Sequence, residues 1–327
     1  MTDDRPGDTM AGTNEPSLPA PSLVVCSLEP WTEVRRRLRI LVDEMVAGDP
    51  GLRVLYVAPP VDPFHQLRTD PADLARTWRT IGVEQVHPQI RVLRPRKWAP
   101  RAAGPFAQRS LERRVLREVA AWGLRRPVLW VNDASYAPLL QRTGWPAFYD
   151  ITDDWLLSSL LPRQRARLVA DEQTLMDQAD AVVVCSTDLA RSRGRTRPVE
   201  LIGNGVDVAR FRTPEPRPTS LPAAPTAVYV GTLHEDRFDV DLVVRLAIER
   251  PDLQIVLVGP DCLAAPVSAR LRALDNVRLI GPVPYEVVPA FLQHADVVIV
   301  PHRVNAFTES LDPIKAYECM AVGRPTV

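Results

Sequence analysis

Short apolar runs alternating with helix-period segments, first over residues 23–202 and again over residues 226–301, constrain the fold of this chain more than any other feature. LVVCSL at 23–28, RVLYVA at 53–58, VLWV at 128–131, AFYDI at 147–151 and AVVVC at 181–185 are short and apolar at nearly every position. A strand with one face in water alternates apolar and polar residues. A strand covered on both faces does not, and that is the condition of a parallel sheet between helix layers. After the first run, residues 31–46 put Val34, Leu38, Leu41 and Met45 on one helical stripe, with Arg35, Arg36 and Arg39 off it. Strand, helix, strand in this order predicts a doubly wound α/β domain.

The alternation breaks once, at residues 212–225 (RTPEPRPTSLPAAP), which have the composition of a stiff linker. It restarts with TAVYV at 226–230, QIVLVG at 254–259 and VRLIG at 277–281. The expected division is a flexible tail at 1–21, a first Rossmann-like domain at 22–211, the linker, and a second Rossmann-like domain at 226–327. A chain of 327 residues, 46% hydrophobic, suffices for two such cores. Formal net charge is zero, which argues against a nucleic-acid binder. Residues 91–126 carry eleven Lys or Arg against two Glu, read as a solvated helix face, with an anionic acceptor or membrane surface as the alternative. The four cysteines are widely spaced and the five histidines scattered, so neither disulfides nor a metal site is expected. No signal-peptide profile and no membrane-length apolar run is present, so a cytoplasmic protein is expected.

The most informative polar stretch is NAFTESLDPIKAYECMAVGRPTV, at residues 305–327. Asp312 suits an N-cap and Pro313 the first helical position, so a helix start points at the preceding loop and favours phosphate. Lys315 lies in the first turn and Glu318 three residues later on the same face. The pair is either a solvated ion pair or a cation for phosphate beside a carboxylate for hydroxyls. Only Lys97 and Lys315 are lysine among 40 basic residues, so a compact ammonium here is a departure from the chain's habit. Elsewhere, Asp150, Asp153 and Asp154 stand at the end of the strand at 147–151, the carboxyl end where open α/β sheets bind ligands. Each either caps the next helix or orients and deprotonates an acceptor hydroxyl.

The 305–327 segment resembles the donor-binding stretch of retaining glycosyltransferases of the GT-B fold, family 4 in type: Glu318, Ala321, Gly323 and Pro325 follow its pattern, and Pro313-Ile314-Lys315-Ala316-Tyr317-Glu318 is similar to one variant. Where the family has its first glutamate, this chain has Ser310, with Glu309 one place back. Gly203-Asn204-Gly205-Val206-Asp207 is similar to the loop closing that family's first domain, and residues 281–285 to its base-contacting loop. The resemblance implies two facing Rossmann-like domains across a cleft, a nucleotide-sugar donor on the second, and a glycan, lipid-linked or small-molecule acceptor on the first. Glu318 would take the ribose hydroxyls. Gly231, Thr232, Arg237, Glu309, Ser310, Asp312 and Lys315 would line the donor site, Asn204 and Gly205 the interdomain loop, and Asp153, with Asp150 and Asp154 behind it, the acceptor side. No cofactor or metal is implied. The family continues past the strand-like run in which this chain stops at Val327, so an incomplete second domain is expected. A nucleotide-sugar epimerase and an inactive nucleotide-sugar binding fragment are the alternatives.

Overall fold

A computed structural model describes residues 21–32, 36–61, 81–96, 104–158 and 160–327, with side chains between 104 and 121 described from 108 onward. The tail at 1–20, Val34 and Lys97 lie outside them. The first sheet has eight strands in the order β3-β4-β2-β1-β5-β6-β7-β8. Its centre is made of the apolar runs: β1 (Ser22–Cys26), β2 (Arg53–Val57), β4 (Ile90–Arg94), β5 (Val128–Val131), β6 (Ala147–Ile151) and β7 (Ala181–Val184), all parallel. β8 (Glu200–Leu201) closes one edge. β3 (Gly82–His87) closes the other, antiparallel to β4. The periodicity gives no sign of β3, because an edge strand that faces water carries polar side chains on both faces.

The second sheet is parallel, in the order β11-β10-β9-β12, built from β9 (Thr226–Val230), β10 (Gln254–Val258), β11 (Val277–Gly281) and β12 (Val297–Val298). Each sheet has apolar clusters on its two faces, as strands covered on both sides require. Strand order reverses at β1/β5 in the first sheet and at β9/β12 in the second. Those are the switch points beyond which such sheets bind ligands.

Two local expectations are corrected. The first helix, α1, is Arg37–Gly48, and its buried face is Arg37, Leu38, Val42 and Val46, while Met45 is exposed. The stripe is rotated because Arg37 turns inward. The passage between the two halves also comes earlier than residue 211: Phe211 is fully buried in the second sheet's core, with Val206 packed on the same cluster. Residues 212–225 are fastened to that half as well, since Gln293 holds the carbonyls of Phe211 and Thr213 and the N–H of Glu215.

Candidate active site

The polar centre forms where β9 and β10 end. Gly231 has φ 153°, and a Cβ there would stand 2.6 Å from Lys315 Nζ and 2.8 Å from Tyr229 Oη. Gly259, with φ 139°, would put a Cβ 2.2 Å from the carbonyl oxygen of Gly231. Only residues without a side chain let the two turns lie this close. The space is used by Lys315, in the first turn of the helix Ile314–Val322. Its Nζ donates to Tyr229 Oη at 2.8 Å, lies 3.3 Å from His302 Nε2 and sits 4.5 Å from the centre of the Tyr229 ring. Tyr229 in turn donates to the carbonyl of Thr232 at 3.2 Å.

Burial pushes the Lys315 ammonium down to about 8, against the opposing pull of Glu318. Burial, with the charges of Lys315 and Arg237, pushes His302 down to about 4, so its ring is neutral at pH 7 and can accept from the ammonium. Glu318 is buried, and burial pushes its carboxyl up to about 7 although Lys315 pulls it down. Among the described residues nothing donates to that carboxylate. With the ends of β9 and β12, Lys315 and Glu318 line a crevice too narrow to admit a water molecule in this structure. The two are therefore not a solvated pair. A carboxylate that no protein group pairs, on a residue otherwise buried, leaves an acceptor open to a ligand hydroxyl.

Arg237, in the loop after Gly231, reaches across to the first half. Its guanidinium is 3.3 Å from Asp153 Oδ1 and lies over the rings of Phe307 and Trp155 at 5.2 and 6.0 Å. Burial raises the Asp153 carboxyl, and Arg237 counters it. The structure thus brings together a residue expected on the donor side and one expected on the acceptor side.

Their neighbours are corrected. Asp150 is buried within β6, where Oδ2 accepts from Trp130 Nε1 at 3.0 Å and Oδ1 is 3.8 Å from Arg37. It is turned into the sheet, as the inward phase of a strand dictates. Asp154 is held in a two-pronged pair with Arg193, at 2.8 and 2.9 Å, and caps nothing with its side chain. The same guanidinium holds Glu172, so Asp154 belongs to a structural network.

Asp312 is corrected too. Pro313 stands at the N-cap of the Ile314–Val322 helix without a side-chain cap. The Asp312 carboxylate accepts instead from Asn204 N–H at 2.6 Å and from Tyr317 Oη at 2.9 Å, and Asn204 Nδ2 donates to its carbonyl. Asn204 Oδ1 receives Arg37 at 3.0 Å, while Arg37 also grips the carbonyls of Gly203 and Ile202. The interdomain loop is therefore a clasp running from Asp150 through Arg37 and Asn204 to Asp312, with Gly205 exposed beside it. Ser310 is buried and donates to the carbonyl of Phe307 at 2.7 Å, and Glu309 is exposed. Neither reaches the Lys315 and Glu318 crevice by any contact in this structure.

Sequence reasoning missed Tyr229, His302 and Arg37. Tyr229 and His302 carry no motif, and Arg37 is one arginine in a run of them. A larger cavity of about 330 Å³ opens between Arg126, Trp145 and Asp180, at the opposite ends of the first sheet's strands.

Residues 224–327 match the family described as Glycosyl transferases group 1. The chain is 25% identical over 219 residues to TuaH of Bacillus subtilis (strain 168), a protein named as a glycosyltransferase of teichuronic acid biosynthesis. That match takes in 62% of this chain and 55% of the relative, so the chain spans about half the relative's length. Anabaena Alr3699/HepE, solved in complex with UDP and glucose, superposes with a TM-score of 0.62 at 15% identity, over 94% of this chain and 79% of that one. The lipopolysaccharide outer core galactosyltransferase WaaB gives 0.51 at 14%, over 93% and 79%. A Listeria monocytogenes protein named as a UDP-N-acetylglucosamine 2-epimerase gives 0.55 at 11%, over 93% and 78%. These likenesses give the architecture, two Rossmann-like units in the GT-B arrangement. At such identities the fold alone does not separate transferase from epimerase.

Proposed function

We propose that this GT-B chain, with its group 1 glycosyltransferase segment at residues 224–327, moves a sugar from a nucleotide-sugar donor to an acceptor hydroxyl in glycan biosynthesis. The observation that carries the reading is the Lys315 ammonium packed beside Gly231, with the carboxylate of Glu318, which no protein group pairs, one helical turn further on. Glu318 accepts from the ribose hydroxyls. Lys315, Arg237 and the start of the Ile314–Val322 helix neutralise the diphosphate as negative charge develops on it. Gly231 and Thr232 let the diphosphate approach the backbone. No metal or cofactor enters this assignment, and retention of anomeric configuration belongs to it by family likeness.

The first unit, residues 22 to about 205, takes the acceptor, a glycan, lipid-linked or small hydroxyl compound. Asp153 orients or deprotonates its hydroxyl. In the free protein Arg237 holds Asp153, so donor binding draws the arginine toward phosphate and releases the carboxylate. Among the described residues no helix is long and apolar enough to cross a membrane. On this reading the chain works in the cytoplasm, with its basic stretch at 91–126 toward the membrane if the acceptor is lipid-linked.

A melting-temperature screen against nucleoside diphosphates and their sugars tests the donor assignment, because a ligand of the folded state raises the midpoint with its affinity. Product analysis with the best donor then tests the reaction. A new glycoside appearing only with an acceptor supports transfer, whereas an epimerised sugar, or donor consumed with water alone, refutes it.

A further inference from the structure

The loop after β1, at the switch point of the first sheet, holds a carboxyl group that neither the fold nor the assignments above use. Its main chain is fixed at each step. Leu28 N–H donates to Asn132 Oδ1 at 3.1 Å, and Glu29 N–H to Ser27 Oγ at 2.8 Å. The Glu29 carbonyl accepts from Tyr56 Oη at 2.9 Å and Ser27 Oγ at 3.1 Å. Tyr56 is buried, and Trp31 packs edge-on against it at 4.9 Å. The Glu29 side chain has no such anchor: its Oε2 is closed off from solvent and has no hydrogen-bond partner.

The loop's bonding places that carboxyl: Asn132, which holds Leu28, donates from Nδ2 to the Asp150 carbonyl at 3.1 Å and to Thr152 Oγ1 at 3.2 Å, so the loop after β1 lies beside the end of β6. Burial raises it most, up to about 7; Arg36 opposes this from the following loop, Asp153 beyond β6 and Asp150 within it add to it, and Arg237 opposes it from the second unit. Arg237 is a residue of the other half of the cleft, and it already contacts Asp153. Glu29 and Asp153 therefore sit on the first unit's wall of the cleft, one beyond β1 and the other beyond β6. That is the carboxyl-end crevice where open α/β sheets bind ligands.

We propose that Glu29 is a hydroxyl-binding residue of the acceptor half of the cleft, its carboxyl receiving an O–H of the acceptor sugar beside Asp153. The inference rests on the glycosyltransferase reading. A rigid backbone holds this half-buried carboxyl with one oxygen sealed and undonated, which costs stability, and a ligand hydroxyl has the chemistry missing there. A sugar hydroxyl could come from acceptor or donor. The position of Glu29, on the unit opposite Lys315 and Glu318, assigns it to the acceptor.

The test uses the full chain with glutamate carboxyl carbons labelled with ¹³C, the Glu29 resonance being assigned by its loss in Glu29→Gln. Methyl α-D-glucopyranoside and glycerol serve as polyol probes, and UDP-glucose as donor probe. The expected result is a Glu29 resonance that moves with polyol concentration in the wild-type protein. In parallel, Glu29→Gln should transfer glucose to the same polyol at least tenfold less efficiently, through a raised KM, while its UDP-glucose affinity stays within twofold. A resonance unmoved by either polyol overturns the inference. So does one that answers UDP-glucose alone, which would give the hydroxyl to the donor sugar. If the wild-type protein neither binds UDP-glucose nor transfers glucose, that failure falls on the functional reading, and the resonance still decides Glu29.

Discussion

Replacing Glu318 by glutamine should move stability and nucleotide affinity in opposite directions. Burial holds this carboxyl at about 7 in the folded protein, against 4.5 ordinarily. Between those values the folded state binds the proton more tightly than the unfolded chain does. Stability therefore falls as pH rises through that window and stays low above it. At about 1.36 kcal/mol per pH unit, the ionised carboxylate costs up to about 3 kcal/mol at pH 8. Glutamine removes the charge but leaves a buried amide to satisfy and takes from Lys315 its nearby carboxylate, so a net gain of about 1–2 kcal/mol is expected. At pH 4.5 the two proteins should be nearly equal. Nucleotide binding should go the other way, because charge-assisted hydrogen bonds from a ribose diol contribute about 1.5–3 kcal/mol each, a tenfold loss or more. Thermal or urea unfolding at pH 4.5 and 8, with calorimetric titration by UDP and the other nucleoside diphosphates, measures both. A variant destabilised at pH 8, or one that binds the preferred nucleotide as the wild type does, would refute the argument.

The ligand-facing charges should also shape the pH dependence. Affinity for the nucleoside diphosphate should rise as Glu318 ionises near 7 and fall as Lys315 loses its proton, starting from about 8 in the free protein, which titrations across pH 6–9.5 will show. Lys315→Ala and Arg237→Ala should each weaken nucleoside diphosphate binding by tenfold or more while leaving nucleoside binding within about twofold, since a nucleoside lacks the charge they meet. Asp153→Asn should lower turnover at nearly unchanged donor affinity. Asp154→Asn should instead destabilise the protein by about 1–2 kcal/mol, measurable by denaturant unfolding, because Arg193 loses its two-pronged partner while keeping Glu172.

The local pattern of the chain carried most of the fold. Continuous apolar runs can be satisfied only by burial on both faces, so the strand positions, their parallel order and the two-sheet plan followed from residues within one window of each other. β5, β6, β9 and β11 begin and end where the runs do. Lys315 and Glu318 were legible because a lysine in an arginine-rich chain and a helical spacing are both local facts.

Side-chain partners were decided elsewhere. Asp312 has every local mark of an N-cap, yet it is engaged by Asn204, 108 residues away. Asp154 and Asp150 stand at one strand end within five residues of each other, but Arg193 claims one and Trp130 the other. Arg37 stands in a run of arginines, and only the carbonyls at 202 and 203, brought over by the opposite edge of the sheet, turn it inward and rotate the helix's buried face. A sequence window fixes which faces are apolar because burial depends on the residue itself. It cannot fix which donor meets which carboxylate, because a buried ion or hydrogen bond is set by the distance between groups that only the packed sheets bring together.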